Sequence, residues 1–229
     1  RCTYEYTADK KVKKVKRYAD GAVAPVMEET YEYGAGGFLK EKLRVHYSLP
    51  SKYVYECDNS GRVTKITVID QTGADSGTVD QWSSYAYNAN NQLIKVNYYL
   101  SDDTPDGYED LDYNDAGGLA SIKAYTAIPG GSQIVIFWKY TGSTNRNHPS
   151  LFKTFFEPDK KEFMFLNAKS IDITLYSNGL VQSTTNQTMS ERVAGGPGIY
   201  GEQTITSKQI FPVASVPQTK KMRYEYVEM

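Results

Sequence analysis

The 229-residue sequence is poor in histidine and cysteine, with two of each. That shortage excludes the usual zinc clusters, which draw several such ligands into one short span. An excess of charge of one sign is also missing: 26 Lys and Arg stand against 27 Asp and Glu, for a formal net charge of −1. Nucleic acid is therefore not a default partner, because phosphate binding needs a basic excess or stripe. No apolar run approaches the ~18 residues of a membrane-spanning helix, and no segment carries an apolar stripe at helical spacing over ~11 residues. There is no G-x-S-x-G nucleophile elbow. The glycines around Pro197 lack the Lys-Ser/Thr pair and following helix of a phosphate loop.

What the chain does have is tyrosine, 20 residues against 8 Phe and 2 Trp. Much of it falls into a repeat. Five segments align without gaps, at residues 4–15, 31–42, 55–66, 85–96 and 111–122, with starts 27, 24, 30 and 26 residues apart. Slots one and three of the five copies hold ten residues, of which eight are Tyr. Slot nine is aliphatic throughout (Val12, Leu39, Val63, Leu93, Leu119), and slot twelve is aliphatic in all but one (Val15, Lys42, Ile66, Val96, Ile122). Slot seven is Lys10, Gly37, Gly61, Asn91 and Gly117.

Tyr-x-Tyr puts two rings on the same face of a strand, because strand side chains alternate. Tyr is also a good strand former that packs on cross-strand neighbours. The Asp-, Asn-, Ala- and Gly-rich residues that follow suit a tight turn, for which Gly or Asn supplies positive φ. A second strand then starts at the slot-nine aliphatic. Each copy reads as a β-hairpin, and successive copies as an antiparallel meander.

A sixth, degenerate copy starts near Trp138-Lys139-Tyr140, with a longer polar segment at 141–150 in place of the turn. Residues 152–156 and 163–166 read as a further hairpin, as do 171–176 and 180–183 around Asn178-Gly179, a strong turn signal. Residues 204–210 read as a strand and 194–198 as a loop. Tyr224-Glu225-Tyr226 repeats the start of the unit, which predicts a last strand pairing with an early one. The expected fold is all-β: one domain over residues 1–229, an up-and-down meander of about a dozen strands. A sheet that large is expected to curl into a water-soluble barrel or half-barrel.

The segments YEYGAGGFL, YECDNSGRVTKI and YAYNANNQLIKV resemble YD-type repeats, the Y-x-Y-D-x-x-G-R-L unit of Rhs and teneurin-type proteins. They are more similar still to a family of small secreted or lipid-anchored proteins of Bacteroides-type bacteria, built on a domain of unknown function with a porin-like fold. That resemblance covers residues 1–140. It implies a porin-like curled meander and a cell-envelope location (periplasm or outer-membrane surface), with any lipid anchor outside these residues. It implies no reaction and no cofactor. Cys57 and Leu111 depart from the expected Tyr, and the fourth-slot Asp survives only as Asp58.

Candidate sites are few. The tyrosine ladder, represented by Tyr31, Tyr33, Tyr85, Tyr87 and Tyr113, offers apolar rings with hydroxyl tips to a glycan or peptide. The same periodicity is also explained by rings that fill the sheet interior and pin strand register. Asp102, Asp103, Asp106, Glu109, Asp110 and Asp112 crowd eleven residues, but their spacing only half meets that of a calcium loop. Residues 10–17 carry six basic side chains in eight, suited to an anionic surface or to guarding a sheet edge. His46 and His148 lie in no catalytic setting, and Cys2 and Cys57 are either one disulfide or two separate thiols. No catalytic residue, cofactor or metal is assigned. The leading expectation is a non-enzymatic module that binds a glycan or peptide. The alternatives are a structural or interaction module of a surface complex, and a hydrolase with spatially paired carboxylates.

Overall fold

The computed structural model describes residues 1–141, 170–189, 201–211 and 218–224. Among them are fifteen strands: β1 (Cys2–Tyr6), β2 (Val12–Arg17), β3 (Met27–Tyr33), β4 (Leu39–His46), β5 (Leu49–Cys57), β6 (Val63–Asp70), β7 (Val79–Tyr87), β8 (Leu93–Leu100), β9 (Pro105–Tyr113), β10 (Leu119–Ile128), β11 (Gly131–Thr141), β12 (Ser170–Ser177), β13 (Leu180–Met189), β14 (Gly201–Phe211) and β15 (Gln218–Tyr224). The helical content of these residues is one short 3-10 turn, Gly73–Asp75.

The chain divides at the start of β9 into two compact units, one holding β1 to β8 and the other the strands from β9 onward. In the first, every strand pairs antiparallel with its sequence neighbour from β1 to β8. The second follows the same rule from β9 to β15. The all-β up-and-down meander is thus the observed fold. Among the described residues no pairing joins the first strand of either unit to its last, so neither unit closes on itself. β15 lies against β14, with Tyr224 opposite Gly201. The expected pairing of the chain end with an early strand is therefore corrected: a short connection favours the adjacent strand.

Each repeat copy is a hairpin with one turn geometry. The slot-seven N–H donates to the slot-four carbonyl at 2.8–3.0 Å in all five copies, and the slot-four N–H donates to the slot-eight carbonyl at 2.8–2.9 Å. Slot seven has positive φ every time: 60° at Lys10, 75° at Gly37, 79° at Gly61, 61° at Asn91 and 75° at Gly117. This is a type I turn followed by a left-handed residue, a common three-residue hairpin loop. The left-handed residue shifts the ladder by one, and a register irregularity follows slot two in the first four copies. The side chains of Asp58, Asn88 and Asn114 accept backbone N–H groups inside their turns at 2.9 Å, the usual reason for Asx residues there. In the second unit, Asn178 (φ 50°) and Gly179 (φ 74°) make the expected two-residue turn between β12 and β13. The strand expected at 204–210 is β14. The hairpin expected at 152–166 and the loop at 194–198 lie outside the described residues.

The pairing explains the periodicity. Slot one faces slot twelve across each hairpin (Tyr31 with Lys42, Tyr55 with Ile66, Tyr85 with Val96), and slot three faces slot nine (Tyr33 with Leu39, Tyr87 with Leu93). These rows form the buried face: Val12, Val15, Tyr31, Tyr55, Val63, Ile66, Tyr85, Leu93 and Val96 in the first unit, and Leu111, Leu119 and Ile122 in the second. Such directly opposed pairs stabilise a sheet by roughly 0.2–1 kcal/mol each relative to alanines.

Successive copies in the first unit are joined by two recurring contacts beyond the ladder. The slot-three group donates to the slot-nine carbonyl of the copy before it: Tyr33 Oη to Val12 O at 2.8 Å, Cys57 Sγ to Leu39 O at 3.7 Å, Tyr87 Oη to Val63 O at 2.9 Å. The slot-eight side chain reaches slot seven of the copy after it. Lys11 Nζ donates to Gly37 O at 2.8 Å, the Phe38 ring covers Gly61, and Arg62 donates to Asn91 Oδ1 at 2.8 Å.

Candidate functional site

The tyrosine ladder divides by slot. Tyr31 and Tyr85 are buried, at 4 % and 8 % exposure, so their rings offer no open face. Tyr33 and Tyr87 are half-buried with their hydroxyls on the carbonyls just named, while Lys11 and Arg62 lie 5.1 Å from their ring centroids. Tyr113 is half-buried, and burial pushes its phenol up to about 12.

The acidic residues at 102–112 spread over a turn and both faces of β9. Asp102 accepts the Thr104 N–H at 3.0 Å, and Asp103 accepts the Trp82 indole N–H at 2.8 Å. Glu109 is buried on the same face as Leu111, whereas Asp112 accepts the Ser121 hydroxyl at 2.9 Å and lies 3.5 Å from Lys123. Among the described residues no three His, Cys, Asp or Glu side chains converge at metal-binding distance. His46 is exposed, its ring 4.6 Å from that of Tyr47, and His148 lies outside the described residues. Both cysteines are free thiols, Cys2 exposed and Cys57 half-buried.

The basic segment is an inner strand, which corrects its reading as a charged edge. β2 sits between β1 and β3, buries Val12 and Val15, and turns Lys14 and Lys16 to local acids. Lys14 meets Glu28 at 2.8 Å, and Lys16 lies 3.8 Å from both Glu28 and Glu5. The hydrogen bond to Glu28 holds the Lys14 ammonium above its ordinary pKa. The edge strand is β1, all five of whose residues are exposed.

Two features escaped the sequence reading. The first is an ionic cluster inside the buried face. Lys42, the exception at slot twelve, and Glu29 are both 0 % exposed, with Nζ 4.0 Å from Oε1. Arg44 reaches the same oxygen at 2.9 Å through Nε and Nη2, and Tyr31 donates to Oε2 at 3.0 Å. The Tyr53 ring lies 4.1 Å from the Lys42 ammonium. The second is a groove of 510 Å³ lined by Ala24, Pro25, Val26, Glu28, Val45, Tyr47 and Ser48. It opens at the end of the first unit opposite the repeat turns, where the connections vary in length. Val26 ties its wall together: its N–H donates to Arg17 O at 2.8 Å and its carbonyl accepts the Tyr47 N–H at 3.0 Å. Tyr47 (φ 46°) and Ser48 (φ 68°) form the two-residue turn between β4 and β5. That turn normally takes Asn-Gly, and a bulky residue with positive φ is strained by roughly 1–3 kcal/mol. Tyr47 at this turn is 69 % exposed.

No family model matches the chain, and no curated protein matches it in sequence. Among solved structures it is similar to a porin-like protein from Bacteroides uniformis, with 14 % identity, a TM-score of 0.57, and 97 % of this chain and 89 % of that one covered. This likeness shows the fold. The chain also aligns with the TcdB2–TccC3–TEV structure at 12 % identity and a TM-score of 0.33, covering 96 % of this chain and 13 % of that one. Among the described residues no helix is long and apolar enough to cross a membrane.

Proposed function

We propose that this chain is a non-enzymatic glycan-binding module of the bacterial cell envelope, and that the groove beside Tyr47 is its site. The observation that carries this reading is an exposed aromatic side chain on a positive-φ turn, lining a 510 Å³ groove. Observed strain of this kind is a pointer to function, because an unstrained Asn-Gly turn would hold the hairpin equally well. A sugar ring stacks its C–H face on tyrosine and uses its hydroxyls on flanking polar groups. Here those groups are the Ser48 hydroxyl and the Glu28 carboxylate, which already carries Lys14 at 2.8 Å. Ala24, Pro25, Val26 and Val45 supply an apolar floor, the usual make-up of a small-ligand site. The fold likeness to a Bacteroides porin-like protein supports the envelope location.

A glycan array probed with the whole chain tests the reading. It should return a defined set of binders, with affinity lost about tenfold or more in Tyr47→Ala. A blank array, or binding indifferent to Tyr47→Ala and Glu28→Gln, overturns it.

A further inference from the structure

The walls of the groove beside Tyr47 differ in what they offer a ligand. Val26 has spent both of its backbone groups, the N–H on Arg17 O at 2.8 Å and the carbonyl on the Tyr47 N–H at 3.0 Å. Pro25 has no N–H to give. With Ala24 and Val45 these residues make a floor of carbon. The polar side consists of the Ser48 hydroxyl and Glu28, which faces Val45 directly across the β3–β4 ladder. Glu28 Oε1 accepts the Lys14 ammonium at 2.8 Å, and Lys16 lies 3.8 Å from Oε2. Among the described residues neither Oε2 nor the Ser48 hydroxyl has a hydrogen bond.

We propose that the groove selects N-acetylated hexosamines, and that it takes the acetamido group, not the ring hydroxyls, against its floor. The inference rests on the glycan reading above and names the class of sugar. A plain hexose carries oxygen substituents around its whole rim. Tyr47 can cover one C–H face, but hydroxyls turned to the carbon floor would lose water and find no partner in exchange, which is costly. An acetamido group places an N–H donor, a carbonyl acceptor and a methyl within a short span. Glu28 Oε2 is an acceptor for the first, the Ser48 hydroxyl a donor for the second, and Val26 and Val45 an apolar surface for the third. A free amino sugar fits less well, because Lys14 and Lys16 already balance Glu28 and would repel a further ammonium. A uronate would bring its charge to the Glu28 carboxylate.

The probes are the methyl β-glycosides of N-acetylglucosamine and N-acetylgalactosamine, each with its parent hexoside, titrated into the whole chain and read by saturation-transfer NMR. At least one acetylated sugar is expected to bind saturably and about tenfold or more tighter than its parent, with the acetyl methyl its most strongly saturated group. Val45→Thr, which adds a hydroxyl to the floor, should weaken both the methyl signal and the preference. If that variant lowers the urea midpoint, Ser48→Ala, at an exposed turn residue, should reduce the preference in its place. The inference is overturned if neither acetylated sugar binds, if they bind no tighter than their parents, or if the acetyl methyl is among the least saturated groups. Hexosides that bind equally well and lose their signal in Tyr47→Ala would leave the glycan reading of the groove standing. Signals that survive Tyr47→Ala, or silence from all four sugars together with a blank array, would overturn that reading too.

Discussion

Glu29→Leu should be far more damaging than Lys42→Met, although the two residues are neighbours in one buried cluster. Both are 0 % exposed, so neither charge has water to fall back on. Lys42→Met places a long apolar side chain where the other copies have Val15, Ile66, Val96 and Ile122. Glu29 then keeps Arg44 at 2.9 Å and the Tyr31 hydroxyl at 3.0 Å. Replacing buried ionic groups by apolar ones of similar volume is often neutral or stabilising, so the change should stay within about 1 kcal/mol of zero. Glu29→Leu instead removes the carboxylate on which Lys42 and Arg44 both converge. Arg44 is partly exposed and can turn its head to solvent, whereas the Lys42 ammonium is enclosed. Breaking a buried pair from one side typically costs about 3–5 kcal/mol. With a urea slope of about 2 kcal/mol per M, the midpoint should fall by roughly 1.5–2.5 M. Combining the two changes should recover about 2–3 kcal/mol of that loss, a coupling in the range contacting residues show. Urea unfolding of the four proteins, followed by circular dichroism, provides the cycle. If Glu29→Leu is no worse than Lys42→Met, or if the double variant shows no recovery, the account of this cluster is wrong.

Gly61→Ala should lose stability twice over, from its left-handed backbone (φ 79°) and from the Phe38 ring covering it; in a Phe38→Ala background only the backbone part of about 1 kcal/mol should remain, and equal losses in both backgrounds would remove the ring from the explanation. Asp58 is held below its ordinary carboxylate range chiefly by the Arg62 backbone N–H, with help from the Arg62 side chain and the Ser60 N–H. Its folded value is the depressed one, so the stabilisation is present above the ordinary carboxylate range and lost as pH falls through the depressed value. The midpoint difference between the native chain and Asp58→Ala should accordingly shrink from pH 7 to strongly acidic solution, and a constant difference would count against it. Burial pushes the Cys57 thiol up, so in native protein a maleimide should label exposed Cys2 quickly and Cys57 only slowly, with the two rates converging in urea.

Much of the scaffold was legible because its information is local. A turn needs one residue that tolerates positive φ, and a Gly or Asn at slot seven marks that residue in four of the five copies. Strand alternation then forces slots one, three, nine and twelve onto one face, and the ladder pairs them as the repeat spacing demands. Lys10 shows the limit of the local signal: it takes φ 60° like the glycines, although nothing in its side chain asks for it, because the rest of the hairpin is in place. The candidate site was less legible. The turn at Tyr47-Ser48 carries no Gly, Asn or Asp, so no residue type announces it. The segment at residues 10–17 looks like an edge from its lysines, yet its neighbours on both sides make it an inner strand.

The sequence by itself determined the period, the turn chemistry, the all-β class and the order in which hairpins follow one another, since each depends on residues a few positions apart. Only the tertiary structure decided which exceptions the pattern tolerates and which surfaces it leaves open. Lys42 is acceptable at a buried slot because the Glu29 carboxylate and the Tyr53 ring reach it from the strands on either side, an arrangement set by register. Likewise, whether a Tyr-x-Tyr pair becomes core or solvent-facing edge depends on whether another strand lies beside it. Tyr31 and Tyr4 occupy the same slot of the same repeat, and one is buried while the other is exposed.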